Sequence, residues 1–235
     1  MYDIEEVNFE NNSPQSLTLR MNAVMRRVFG KMTLALIVTA LTSWLCLGSE
    51  LYWNLIGSTR WGFAGIFVAE LVLVFAISGA VNKMSSLTAT VLFYLFAVVN
   101  GLALTPIFVV FTGASIARTF LICAAVFGTM AVFGYLTKQD LTSWGRLLLF
   151  ALIGLIIASV VNHFMKSTMV DMVISWVGVL IFIGLIAWDT QKIKNMAMMM
   201  PASMDGKLAT IGALSLYLDF INLFIYLLRI FGKRD

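Results

Sequence analysis

The stretch LATIGALSLYLDFINLFIYLLRIF, residues 208–231, decides the fold. At about 24 residues it is long enough to cross a bilayer as a helix. Asp219 stands near its middle. A carboxylate at that depth costs about 2.5–3.5 kcal/mol, so it requires a partner or a wet cavity. Ser215, Asp219, Asn222, Tyr226 and Arg229 follow steps of four, three, four and three, which put them on one helix face. The remaining faces are Leu, Ile and Phe. A polar stripe on an apolar helix turns away from lipid, so this helix is expected inside a bundle with the others around it.

Composition agrees. The chain has 235 residues, 60% hydrophobic and 12% charged, with a mean hydropathy of +0.93. Soluble domains carry about 25% charged residues. The expected class is an all-α integral membrane protein. The net charge of +4 is read as basic loops on one membrane face, with no nucleic-acid partner. Cys46 and Cys123 fall in apolar spans and suggest neither a disulfide framework nor a metal site. The first twenty residues are polar and acidic and do not form a cleavable signal.

Going outward along the chain, residues 1–27 read as a polar N-terminal tail and 28–232 as one seven-helix membrane domain. Spans are expected at 28–48, 61–81, 85–111, 115–136, 141–163, from 171 to 189 or a little beyond, and 208–231. Pro106 should break the third. Tyr52 and Trp53 read as interfacial anchors. With the N-terminus inside, ten basic residues lie inside (Arg20, Arg26, Arg27, Lys31, Lys83, Lys138, Arg146, Lys192, Lys194, Lys207). Three lie outside: Arg60, Arg118 and Lys166. The positive-inside rule therefore puts the N-terminus in the cytoplasm. Arg229, Lys233 and Arg234 are the misfit, since a crossing seventh helix carries them outside. A re-entrant last helix is the alternative, and crossing is favoured because the apolar run is long enough. Gly65/Ala69, Ala124/Gly128 and Gly154/Ala158 have the spacing of close helix contacts.

Enzyme signatures are missing. The single histidine, His163, excludes HExxH, and no GxGxxG, phosphate-loop or GxSxG pattern occurs. No enzyme activity and no cofactor are expected. The informative residues are the intramembrane acids Glu70, Asp189 and Asp219. With helix six running to about Met196, Asp189 lies roughly 10 Å from its inner end, and Asp219 roughly 16 Å along the next helix. The two are expected to meet across neighbouring antiparallel helices. Two close carboxylates in low dielectric cannot easily both ionise, so the pair titrates as a unit. Such a pair can sense protons and, when deprotonated, contact a cation such as Ca²⁺.

GLIAWDTQKIKNM (184–196) followed by LSLYLDFINLFIYLLRIFG (214–232) resembles the Bax inhibitor-1 family. SSLTATVLFYLFAVVNGLALTPIF (85–108), FGYLTKQDLTSWG (133–145) and LIGLIIASVVNHF (152–164) look like its bacterial members. The resemblance implies seven transmembrane helices, the C-terminal one central and six packed around it, in a bacterial plasma (inner) membrane. It implies a pH-sensitive calcium leak channel, with calcium ion and protons as partners beside the lipid bilayer. Asp189 and Asp219 match its pH sensor. Glu70 matches an ion-pathway glutamate, and Asn222 and Ser215 of the stripe are assigned to the same pathway. Some bacterial members carry an arginine latch where this chain has Val81, which leaves Lys83 as the nearest candidate latch. Two other readings stand beside the leak. One is a regulatory protein that binds membrane-protein partners, with the polar tail as its handle. The other is a proton-coupled cation exchanger.

Overall fold

The computed structural model describes residues 14–57 and 61–233, and the side chain of Asn82 is not among those described. Seven long helices occur among these residues: α1 Pro14–Leu47, α2 Gly62–Ala80, α3 Ser86–Leu104, α4 Gly113–Leu136, α5 Thr142–Met165, α6 Thr168–Met199 and α7 Asp205–Phe231. Each is part of a span long and apolar enough to cross a membrane. Local chemistry sets their ends. The side chains of Ser85, Thr112 and Ser167 accept from Thr88, Ser115 and Val170 amides and open α3, α4 and α6. Lys166 closes α5 in the left-handed region at φ 53°. Pro106 interrupts the third span, which resumes as a short helix Ile107–Val110.

The most buried helix is α7. Two-thirds of its apolar window (67%) is buried, against 44% for α6 and less for the rest. It packs on α1, α3, α4 and α6. The outer helices α2 and α5 lean mainly on α3 and α6 respectively, so the six helices form four inner neighbours and two outriders, a less even ring than expected. The seventh helix is continuous over 27 residues, about 40 Å, enough to cross without re-entering. Its start is tied to α1 by Arg20 and Asp205. Its end lies beside the starts of α4 and α6, through Thr112 bonded to Lys233 and Arg229 near Asp171.

Several expectations change. The first helix begins at Pro14, so residues 14–27 are helical and only 1–13 of the expected tail lie outside the described residues, with Arg60 and Arg234. The reason is visible in Arg20: its guanidinium holds Asp205 through both carboxylate oxygens, at 2.5–3.1 Å, and donates to the Met200 carbonyl at 2.7 Å. A bidentate clamp of this kind orders a polar helix beyond the apolar span. Arg20→Gln is expected to lower stability by about 1–3 kcal/mol and expose the 200–204 link to protease. Thermal unfolding in detergent and mapping of the first cut check this.

Tyr52 is buried and donates to the Leu102 carbonyl at 2.8 Å, which ties it to α3. The glycines expected to mediate packing do not: a Cβ added at Gly65, Gly128 or Gly154 would meet nothing within 4 Å. The spacing marks a face without saying which one. Gly65 and Gly154 sit on the outer helices α2 and α5. Close approach occurs instead at Gly101, Gly134, Gly145 and Gly178.

Candidate functional site: a buried carboxyl pair on the central helix

The predicted stripe on α7 faces α6 and α5. Asp189 on α6 and Asp219 on α7 are both buried and line one cavity, which brings their carboxyl groups together across the α6–α7 contact. Ser215, one turn before Asp219, donates its hydroxyl to Asp189 Oδ2. Asp219 Oδ2 is buried and has no hydrogen-bond partner among the described residues. A buried unpaired oxygen is costly, so it marks the place where a proton or cation has most to gain.

The pair lines a cavity of about 350 Å³. Its apolar wall comes from Leu149, Leu152 and Ile156 of α5 with Phe182 and Leu185 of α6. Asn222 also lines it, while its amide bonds back to the Leu218 carbonyl at 2.8 Å, leaving its side-chain oxygen available. Tyr226 lines it as well. Its ring stacks on Phe182 with centroids 5.9 Å apart, and it packs where Gly178 leaves room. Beyond it, Arg229 lies over the Tyr226 ring at 5.6 Å and 3.6 Å from Asp171, both partly exposed. Thus Arg229 belongs to the end of the stripe and pairs away from Asp219. Trp188 lines the cavity too, packed against Gly145 of α5.

Lys83 is exposed just past α2. Lys192 lies one turn beyond Asp189 on α6, 4.8 Å from the Trp188 ring centre, and is the basic side chain nearest Asp189 along that helix. The sequence did contain this signal, as the spacing of three between Asp189 and Lys192 on one helix. The count of basic residues reads Lys192 only as a charge on the inner face.

Glu70 is separate from the pair. It lies on α2, half-buried, and accepts from the Asn100 amide at 2.7 Å. Asn100 in turn accepts from the Tyr217 hydroxyl at 3.0 Å, and Thr39 lies 2.6 Å from that hydroxyl. The chain Thr39–Tyr217–Asn100–Glu70 thus joins α1, α7, α3 and α2. Tyr217 is two residues from Asp219, which turns it to another face of α7. Sequence reasoning missed it because a tyrosine in an apolar helix reads as core. Further along the same face Lys31 is held by Thr90 and Thr210 at 2.7 and 2.6 Å. Tyr217→Phe keeps the ring and orphans Asn100 Oδ1, so it is expected to cost about 1–3 kcal/mol, read by thermal unfolding.

As a calcium contact the pair offers two carboxyls, and Ser215 and Asn222 add neutral oxygens. Among the described residues no group of three or more His, Cys, Asp or Glu gathers. Calcium takes six to eight oxygen ligands, so this donor set fits a passing, largely hydrated ion better than a resident one.

Comparison with known proteins follows this geometry. The family described as "Inhibitor of apoptosis-promoting Bax1" matches residues 21–235. The chain is 44% identical over 213 residues to "Inner membrane protein YbhL" of Escherichia coli (strain K12), covering 89% of this chain and 91% of that one. It is 42% identical over 211 residues to RP147 of Rickettsia prowazekii, covering 89% of each. It is 42% identical over 215 residues to a protein of Borreliella burgdorferi, covering 91% and 93%. With its seven apolar spans and this match over nearly its whole length, the chain belongs to the Bax inhibitor-1 family, as a multi-pass membrane protein.

Proposed function

We propose that the protein is a pH-sensitive calcium leak channel of the bacterial plasma membrane, with its N-terminus in the cytoplasm and the Asp189–Asp219 pair as its proton-operated gate. The observation that carries this reading is the pair of buried carboxyls lining one cavity along the central helix, with one oxygen of Asp219 unpartnered among the described residues. The inner-membrane description of the YbhL relative supports the location.

In the closed arrangement the pair is bridged by a proton and held from one side by Ser215. The Phe182–Tyr226 stack and Trp188, which line the cavity, serve as its constrictions. Acid adds a second proton and removes the remaining negative charge. Lys192 then has no anion to hold it against Trp188, and the α6–α7 contact at the pair loses its charged hydrogen bond. The constrictions can part and a hydrated calcium ion can pass the Asn222 and Ser215 oxygens. Lys192 serves as counter-charge here, in place of the arginine that Val81 lacks. Glu70, on the far side of α7, contributes a second acidic stop.

The test is calcium entry into liposomes containing the purified protein. Flux above protein-free liposomes, rising toward mildly acid pH, is expected. Flux equal to protein-free liposomes at every pH would sink the leak. Uphill calcium movement driven by an imposed proton gradient would reassign the protein as an exchanger. Absent flux with partner capture through residues 1–13 would make it a regulatory binding protein.

A further inference from the structure

We infer that the seam between α1 and α4 is a binding slot for an acyl chain of a bilayer lipid, seated directly against the central helix. The inference is independent of the calcium reading. Both α1 and α4 pack on α7, yet they do not pack extensively on each other. A cavity of about 500 Å³ fills the gap, floored by Phe220, Ile221 and Phe224 of α7. A second, of about 450 Å³, lies further along the same seam, where Met25 and Phe29 of α1 face Phe127 and Ala131 of α4. The Tyr135–Asn22 hydrogen bond pins that end.

Small residues open the first cavity. Ala40 on α1 and Gly113 and Ala117 on α4 line it and are exposed, and a Cβ at Gly113 would meet nothing within 4 Å. Its contents follow from its walls. Water in a protein cavity takes two to four polar partners. The two hydroxyls on the wall are already spent toward α3 and α7: Thr39 on the Ala97 carbonyl and on the Tyr217 hydroxyl, and Ser43 on the Gly101 carbonyl. A dry void of this size leaves its lining without contact partners. The rim residues Leu121 and Phe120 are exposed within the apolar span, so the medium at the mouth is hydrocarbon. The chemistry that fills the slot is therefore a flexible saturated or monounsaturated chain, entering sideways from the bilayer. It carries lipid to residues of α7 that the helix ring otherwise shields.

Photolysis of liposomes made with a phospholipid carrying a diazirine on its acyl chain tests this, with adducts mapped by mass spectrometry. Adducts on Phe220 and Phe224, only 3% and 8% exposed, are expected beside those on outward residues such as Phe150. Ala117→Trp, which fills the slot from α4, should lose the α7 adducts and keep the Phe150 adduct. Ala40→Phe fills it from α1 and serves if the first variant does not fold. Wild-type adducts confined to outward residues would overturn the proposal. So would α7 adducts unchanged in a folded plugged variant, or a protein–protein crosslink through the seam.

Discussion

Calcium flux through Asp219→Asn is expected to lose its response to acid. Asparagine keeps the shape of the side chain and can donate to Asp189, so the helices stay together. It cannot take up a proton. The wild-type rise on acidification should flatten. Asp189→Asn should flatten it too, and the double variant should do no more than either single, because the pair acts as a unit. Initial rates of calcium entry across a pH series check this. Ser215→Ala, which removes one hydrogen bond and leaves both carboxyls, should shift the response without removing it.

The largest loss of stability is expected from Gly134→Leu. A Cβ at Gly134 on α4 would run into the backbone of Ala187 on α6. Backbone cannot step aside as a flexible side chain can. Overpacking of this kind costs typically about 1–3 kcal/mol, and more where helices must separate. Ala187 is two residues from Asp189, so the displaced α6 also carries the aspartate off its partner. A lower thermal midpoint with a blunted acid response is expected. Gly134→Ala should show a smaller loss in the same direction. The contrast with Gly128→Ala on the same helix, where a Cβ meets nothing within 4 Å, separates close approach from helix propensity.

These cases show what the chain discloses by itself. The α7 stripe is legible because a helix repeats every 3.6 residues, and polar residues on an apolar span have only one direction to face. That logic places Ser215, Asp219, Asn222 and Tyr226 on one cavity and brings Asp189 to Asp219. It does not say which neighbour fills the opposite face. Tyr217 therefore reads as core until its hydroxyl is seen bonded to Asn100. Lys192 reads as an inside charge because the apolar run of the sixth span ends near Asp189, although the helix itself runs on to Met199. Glycine spacing likewise marks small faces, and only packing tells Gly134 from Gly128. Glu70 is legible as an intramembrane acid, but its separation from the aspartates depends on α2 leaning on α3 rather than on α7.

The carboxyl pair itself can be read directly by infrared spectroscopy of protein in bilayers, with ¹³C in the aspartate side chains. Two carboxyls in contact need a proton between them. A protonated-aspartate band at neutral pH in the wild-type protein, lost in both Asp189→Asn and Asp219→Asn, is the predicted result. A neutral-pH spectrum with no protonated aspartate, or a band that survives Asp219→Asn, would contradict the account.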